Sequence, residues 1–154
     1  MKYLKNIIIV CFVLFSLYSC TEKACLVSTQ TLLGIEFTNK SDGTSLTLDS
    51  LTVSGVESDS ILYNNQKSVT SIYLPLRISE NETSFALRMN GVNDTLIIQH
   101  RSFPQLLNEE CGCVVFQTID SAKIVGEQTA EVQIVNSQIQ NTKNEIHLSW
   151  FIRW

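Results

Sequence analysis

Cysteine and histidine are the side chains of this 154-residue chain whose types could support metal or redox chemistry. Cys111 and Cys113 are separated by one glycine, and the two histidines are His100 and His147. A zinc site at the cysteines needs two further ligands at suitable spacing, whereas each histidine sits singly within a predicted strand. Redox catalysis needs a C-x-x-C at a helix N-terminus, whereas this is a C-x-C ahead of a strand. The pattern predicts no metal and no cofactor.

A hydrolytic nucleophile is not indicated either. The chain has no G-x-S-x-G elbow, and no serine near a histidine is accompanied by a patterned carboxylate. Glu109 and Glu110 are the only adjacent carboxylates, but neighbours in sequence diverge in space, so a solvated loop is expected there. The sequence therefore predicts that the protein is not an enzyme.

The N-terminal segment has the composition of an export signal. Lysines precede an apolar run from Ile7 to Leu17, which at roughly eleven residues is too short to cross a ~30 Å hydrocarbon core. The run leads into Leu17-Tyr18-Ser19-Cys20, which resembles the bacterial lipobox, with Tyr18 departing from the small or aliphatic residue usual at that place. The alternative is an ordinary secretory peptide with a cysteine near the cleavage site.

The lipobox resemblance implies that the thiol of Cys20 carries a diacylglycerol and that the signal is cut just before it. Two or three acyl chains, at ~0.8 kcal/mol per buried CH₂, make membrane attachment effectively stable. We therefore expect a lipoprotein signal peptide at 1–19, a lipidated tether at 20–30 and one domain at 31–154.

The charge of the chain limits its partners. It has 11 basic and 15 acidic side chains, and loss of Lys2 and Lys5 with the signal leaves 9 against 15, a net charge of −6 (9 − 15). Nucleic acids and anionic lipid surfaces both require a basic patch. We expect neither as a partner.

Alternation of apolar and polar residues, broken by turn residues, predicts an all-β domain, and the spacing of the strands favours a single immunoglobulin-like antiparallel β-sandwich. Strands are predicted at 31–37, 60–63, 68–78, 83–89, 95–101, 113–119, 131–135 and 145–153. Asn90-Gly91 predicts a hairpin, and Pro75 predicts an edge strand or a bulge. A change of apolar phase predicts a break at Asp49-Ser50. Only 103–109 suggests a short helical turn.

Three cysteines remain once Cys11 leaves with the signal and Cys20 is acylated. A bond between Cys111 and Cys113 would be strained, because it would close a very small ring. Cys25 could instead bridge to Cys111 or to Cys113 and close a long loop, worth up to about 4.5 kcal/mol. Both pairings are open from the residues alone.

Four of the five aspartates begin a triplet of Asp, then Ser or Thr, then an apolar residue. This triplet is similar to the O-glycosylation acceptor motif of exported proteins in Bacteroidetes-type bacteria. The candidate acceptors are Ser50, Ser60, Thr95 and Ser121. The alternative is that Asp-Ser or Asp-Thr caps a turn before a strand resumes, and both meanings are compatible.

The mature chain as a whole resembles a family of small Bacteroidetes-type lipoproteins of unknown function. The features that carry the resemblance are Cys20 followed by Cys25, the strand at 35–37, Tyr73-Leu74-Pro75-Leu76, Cys111-Gly112 and the segment 145–151. The resemblance implies a single β domain without a known activity. It matches Cys111 to a family cysteine that precedes glycine and so favours Cys25–Cys111 pairing, whereas Cys113 departs from the family pattern.

These features predict an envelope lipoprotein, anchored to the outer membrane and facing the periplasm, with a non-catalytic binding or structural role. Its partner would be another envelope protein or a glycan. The periplasmic orientation follows from Thr21-Glu22-Lys23, which lacks the acidic cluster of surface-exported lipoproteins. The alternative is a periplasmic enzyme with a site assembled around His100 or His147.

Overall fold

The computed structural model describes residues 30–58, 60–108, 111–126, 131–142 and 144–153. Every regular element in these ranges is a β-strand, as the alternation predicts. In chain order the strands are β1 (Leu33–Asn39), β2 (Leu51–Gly55), β3 (Ile61–Gln66), β4 (Ser71–Leu74), β5 (Glu82–Met89), β6 (Val92–Asn108), β7 (Gly112–Gly126), β8 (Glu131–Ile134), β9 (Gln138–Ile139) and β10 (Leu148–Ile152).

These strands form two sheets arranged as a sandwich. A four-stranded sheet has the order β4-β1-β10-β8, and a six-stranded sheet has the order β3-β2-β5-β6-β7-β9. One continuous apolar core receives side chains from both, since alternate residues of each strand point inward. Its largest fully buried members include Phe37, Leu87, Leu96, Ile98 and Trp150.

β1 and β10 pair in parallel at the centre of the four-stranded sheet, with Phe37 opposite Trp150. The sequence was expected to form a fully antiparallel sandwich, so this pair is a correction. A parallel pair needs a long crossover, and here everything from β2 to β9 lies between the two strands. The ring centroids of Trp150 and Phe37 are 6.2 Å apart. This contact agrees with the core strand predicted from the segment 145–153.

Two predicted turns are confirmed. Asn90 and Gly91 have φ of 48° and 93° and join β5 to β6 as a two-residue hairpin, both in the left-handed region that such turns require. The break at Asp49-Ser50 lets Leu48 and Leu51 both face the core. Asn90 connects the two features, because its side-chain oxygen accepts the Ser50 N–H at 3.0 Å.

The helical turn predicted at 103–109 is wrong over 103–108, where β6 continues to Asn108. Cross-strand pairing prevails over the local pattern, because Phe103 lies opposite Phe116 and their rings meet edge to face at 6.3 Å. β5 pairs with β6 as far as Gln99, and β9 pairs with β7 at Gln117 and Thr118. Beyond these contacts, Phe103–Asn108 and Gly112–Phe116 form a two-stranded arm. Glu109 and Glu110 lie outside the described residues.

β4 is an edge strand that ends immediately before Pro75, as the proline predicts. The hydroxyl of Tyr63, from β3 of the other sheet, covers this edge. It accepts the Tyr73 N–H at 3.0 Å and donates to the Tyr73 carbonyl at 3.3 Å. One phenol therefore satisfies two backbone groups and ties the sheets together.

Tyr63→Phe is expected to lower the free energy of unfolding by about 1–2 kcal/mol, because it leaves the Tyr73 amide and carbonyl without a partner. Urea unfolding followed by fluorescence measures the loss. Tyr73→Phe is the matched control, since the Tyr73 hydroxyl makes no hydrogen bond within the described ranges, and a change below about 0.5 kcal/mol is expected. Equal losses in the two variants would contradict this role of Tyr63.

Candidate functional site

The lipid-attachment signal predicted from the sequence lies outside the described residues. This holds for the signal peptide at 1–19, for Cys20 and for the tether up to residue 29. The described ranges hold no helix with the length and apolar character to cross a bilayer. Just after the tether, the Thr31 hydroxyl donates to the carbonyl of Val115 at 3.0 Å. The chain thus enters the domain beside β7, close to the arm.

The two cysteines of the C-x-C sequence differ in state. Cys111 is disulfide-bonded, and its partner is not among the described residues. Cys113 is an exposed free thiol, so the two do not bond to each other. Cys25 lies outside the described residues, and its pairing with Cys111 stays a prediction.

His100 is a buried residue of β6, only 1% exposed. Its Nε2 lies 2.8 Å from the hydroxyl of Thr83, which also accepts the Arg77 N–H at 3.0 Å. Burial lowers the pKa of His100 below 6.5, and the nearby carboxylates of Asp120 and Glu80 oppose this shift. The Asp120 carboxylate itself is held by the guanidinium of Arg101, at 2.7 Å from Nη2, which lowers the pKa of Asp120. Within the described ranges, no carboxylate is hydrogen-bonded to His100.

His147 is equally buried, just before β10. Its Nδ1 accepts the Gly34 N–H at 2.9 Å, and the backbone N–H of His147 donates to the Gly34 carbonyl at 2.8 Å. Burial lowers the pKa of His147 below 6.5, against the opposing effects of the Glu145 carboxylate and the Gln138 carbonyl. The ring is held neutral at Nδ1 and fastens β1 to the start of β10. Among the described residues, no three His, Cys, Asp or Glu side chains converge as a metal site.

The four candidate glycan acceptors are not equally accessible. Ser60, just before β3, and Ser121, in β7, are exposed, whereas Ser50 and Thr95 are half-buried. They lie in different elements and do not form one site. Asp59, which opens one of the triplets, lies outside the described residues.

Described residues line at least three surface grooves. The first, of about 250 Å³, lies beside Arg77, Thr83 and Phe85. The third, of about 350 Å³, lies beside Leu76, Ile78 and Val115. The second is the largest of these three, at about 450 Å³, and occupies the outer face of the six-stranded sheet. We call the second the sheet-face groove, and its lining is Thr52, Ser54, Ala86, Leu87, Arg88, Asn93, Asp94, Thr95, Val125 and Gly126.

Strand register builds the sheet-face groove from two parallel rows. Thr52, Arg88 and Asn93 are cross-strand neighbours on β2, β5 and β6, and they form the first row. The second row, on β2, β5, β6 and β7, consists of Ser54, Ala86, Thr95 and Val125. Paired residues share a face, and the intervening residues fill the core, so both rows point to solvent. Small side chains in the second row create the depression.

Arg88 distinguishes the sheet-face groove from its neighbours. In the first groove, Arg77 is held by the carboxylates of Glu57 and Glu80, and these contacts raise the pKa of its guanidinium. Arg88 is exposed and makes neither an ion pair nor a side-chain hydrogen bond within the described part of the chain. Its five N–H donors are free to bind a ligand. Neither histidine lines any of the three grooves.

Sequence reasoning missed the sheet-face groove because its residues come from four strands between Thr52 and Gly126. The only local signal was the polar character of the outward-facing positions in these strands. Thr52 and Ser54, and then Asn93 and Thr95, are polar residues at alternate positions of strands whose other face is apolar. Their meeting depends on the pairing register, which the sequence does not display.

Comparison with known proteins identifies one family. No curated protein and no solved structure matched the chain. A family model described as "Family of unknown function (DUF6452)" matches residues 50–152. The match runs from just before β2 to the end of β10 and contains Cys111 and the whole sheet-face groove. Since the match spans more than half of the sequence, the chain belongs to the family of unknown function DUF6452.

Proposed function

We propose that this protein is a lipid-anchored, non-catalytic binding domain of the bacterial cell envelope. It is held at the outer membrane through acylated Cys20, faces the periplasm and binds a glycan or another envelope protein. The sheet-face groove carries the binding part of the proposal, because it is an open depression with polar side chains and an unengaged guanidinium in its lining. The acidic balance of the chain disfavours nucleic acid as the partner.

The environment of the histidines supports binding over catalysis. A general base must reach a proton of its substrate through a hydrogen bond or one water molecule. His100 and His147 are each 1% exposed, and one nitrogen of each ring is engaged by Thr83 or Gly34. The enzyme alternative, a site around either histidine, would require the sandwich to open.

The bonded state of Cys111 supports a bridge from the tether to the arm, with Cys25 as the partner. The contact between Thr31 and Val115 supports this connection, because it brings the end of the tether alongside β7. A bridge there would set the height and orientation of the domain above the membrane. Exposure favours Ser60 and Ser121 over Ser50 and Thr95 as the glycosylated residues.

Metabolic labelling with an alkyne-tagged palmitate tests the anchor. The wild type is expected to take up the label and Cys20→Ala to lose it, because only the lipobox cysteine is acylated. Cys11→Ala is the matched control and should label as the wild type does, since Cys11 lies within the apolar run of the signal. An unlabelled wild type, or label that persists in Cys20→Ala, would contradict the proposal.

A further inference from the structure

We infer that the sheet-face groove binds a neutral saccharide, with one sugar ring over Ala86 and its hydroxyl groups bonded to Arg88 and Asn93. The inference rests on the proposed function of a binding domain and names the class of ligand. Its support is the shape of the groove, the chemistry of its lining and the distribution of charge.

The shape of the groove suits a sugar ring. Neighbouring strands are ~4.8 Å apart, so the three strands β2, β5 and β6 span roughly 10 Å, about the width of a pyranose with its hydroxyl groups. Ala86 lies on the middle strand, between Ser54 and Thr95, and provides a low floor. Arg88 and Asn93 lie in the adjacent row and form one rim. The volume of about 450 Å³ accommodates one or two rings.

The lining offers what a saccharide requires. A sugar presents C–H groups on its ring faces and, around the edge, hydroxyl groups that both donate and accept hydrogen bonds. In the groove, Ala86 and Val125 provide apolar surface. Asn93 and Thr95 each donate and accept, and Arg88 only donates. Polar groups at the rim around a small apolar floor match this arrangement.

The charges of the groove favour a neutral ligand over an acidic one. Arg88 contributes a positive charge at the open rim, but Asp94, a 3% exposed residue between Asn93 and Thr95, also belongs to the lining and places a carboxyl group beneath the floor. An anionic ligand that reached Arg88 along the floor would also approach this carboxyl group. A hydroxyl group avoids the conflict, because it accepts from the guanidinium and donates to an acceptor.

The other two grooves lack this combination. Arg77 in the first groove would have to leave Glu57 and Glu80 before it could bind a ligand. The third groove is lined by Gln30, Thr31 and apolar residues such as Ile78 and Val115, with no charged side chain. An unengaged guanidinium beside an open floor occurs, of the three, only in the sheet-face groove.

Saturation-transfer NMR on the full-length protein, purified from membranes in detergent, tests the inference. The probes are maltose, cellobiose and N,N′-diacetylchitobiose, with galacturonic acid as the acidic comparison. We expect saturable binding of at least one neutral disaccharide and weaker binding of galacturonic acid. Ala86→Phe should abolish binding because it fills the floor, and Arg88→Ala should weaken it about 10-fold because a charge-assisted hydrogen bond is lost.

Two controls separate loss of the site from loss of the fold. Lys123→Ala removes a cation from the same sheet face outside the groove and should bind as the wild type does. Ser121→Phe adds the same bulk as Ala86→Phe at an exposed position outside the groove and should also retain binding. Far-UV circular dichroism and the thermal midpoint report folding of every variant.

Absence of saturable binding to all three neutral probes would overturn the inference, as would unchanged binding by folded Ala86→Phe. A glycan found on Thr95 of the native protein would also overturn it, because the protein's own sugar would then occupy the groove. Loss of the palmitate label would leave this result untouched, since sugar binding and anchoring depend on different residues. If no sugar binds but the palmitate label is intact, the saccharide is refuted as the ligand and the proposed lipid anchor still stands.

Discussion

Gly34→Ala is expected to lower the free energy of unfolding by about 3 kcal/mol or more. A Cβ at this position of β1 would lie 2.0 Å from the carbonyl oxygen of Glu145 and 3.1 Å from a ring carbon of Tyr73. The oxygen belongs to the backbone and cannot rotate away as a side chain can. The segment before β10 would have to move, and with it both hydrogen bonds between Gly34 and His147.

Urea unfolding followed by tryptophan fluorescence measures this loss, because Trp150 is fully buried. Gly55→Ala is the matched control. Its Cβ would meet the hydroxyl of Ser58 at 2.6 Å, but that hydroxyl ends a side chain that can turn away, so a loss below about 1 kcal/mol is expected. A Gly34→Ala protein as stable as Gly55→Ala would contradict the close packing of β1 against the 144–147 segment.

The second large effect concerns His147. His147→Ala is expected to cost about 2–4 kcal/mol at pH 7.5, because it leaves a cavity and removes the acceptor of the buried Gly34 N–H. His147→Asn should retain more of the stability, because the Asn oxygen can take the place of Nδ1. Asn does not titrate, so this variant also separates the hydrogen bond from the protonation.

Acidification should destabilise the wild type in a defined window. The pKa of His147 is lowered in the folded state, so its contribution is complete above the ordinary value of 6.5 and declines as the pH falls below it. In that window the unfolded chain binds more protons than the folded one, at a slope of up to about 1.4 kcal/mol per pH unit per group. His100 acts in the same direction, whereas the lowered pKa of Asp42 and Asp120 affects stability only in more acidic solution.

The measurement is the free energy of unfolding of the wild type and His147→Asn between pH 7.5 and pH 5. The wild type should lose stability more steeply than the variant, which retains only the contribution of His100. Parallel curves for the two proteins would show that His147 is not protonated on unfolding and would refute its assignment as a neutral buried acceptor.

Features that depend on neighbouring residues could be predicted from the sequence. Asn90-Gly91 specifies its hairpin because both positions need positive φ, and Pro75 ends an edge strand because it lacks an N–H. The alternation of apolar residues identified the strands that flank these turns.

Features that depend on distant pairing could not be predicted. The parallel pair of β1 and β10 joins the two ends of the domain, and no local pattern signals it. The segment from Phe103 to Asn108 becomes a strand only because Gly112 to Phe116 returns beside it. The sheet-face groove has the same origin, since Arg88 and Thr95 become neighbours through register alone. The hydrogen bonds that hold His100 and His147 come from Thr83 and Gly34, which lie far from them in the chain. Because the sequence does not display these partners, it leaves a catalytic role open for both histidines.

The mass of the native protein from the membrane fraction tests the lipid anchor and the disulfide bridge in one measurement. It would be measured on the intact protein and after digestion without reduction. We expect a chain that begins at Cys20 with two or three acyl groups, and a cross-linked peptide that joins Cys25 to Cys111. Glycans on Ser60 or Ser121 would appear in the same spectrum. A chain with an unmodified Cys20 would contradict the lipid anchor, and a peptide that links Cys25 to Cys113 would contradict the bridge to the tip of the arm.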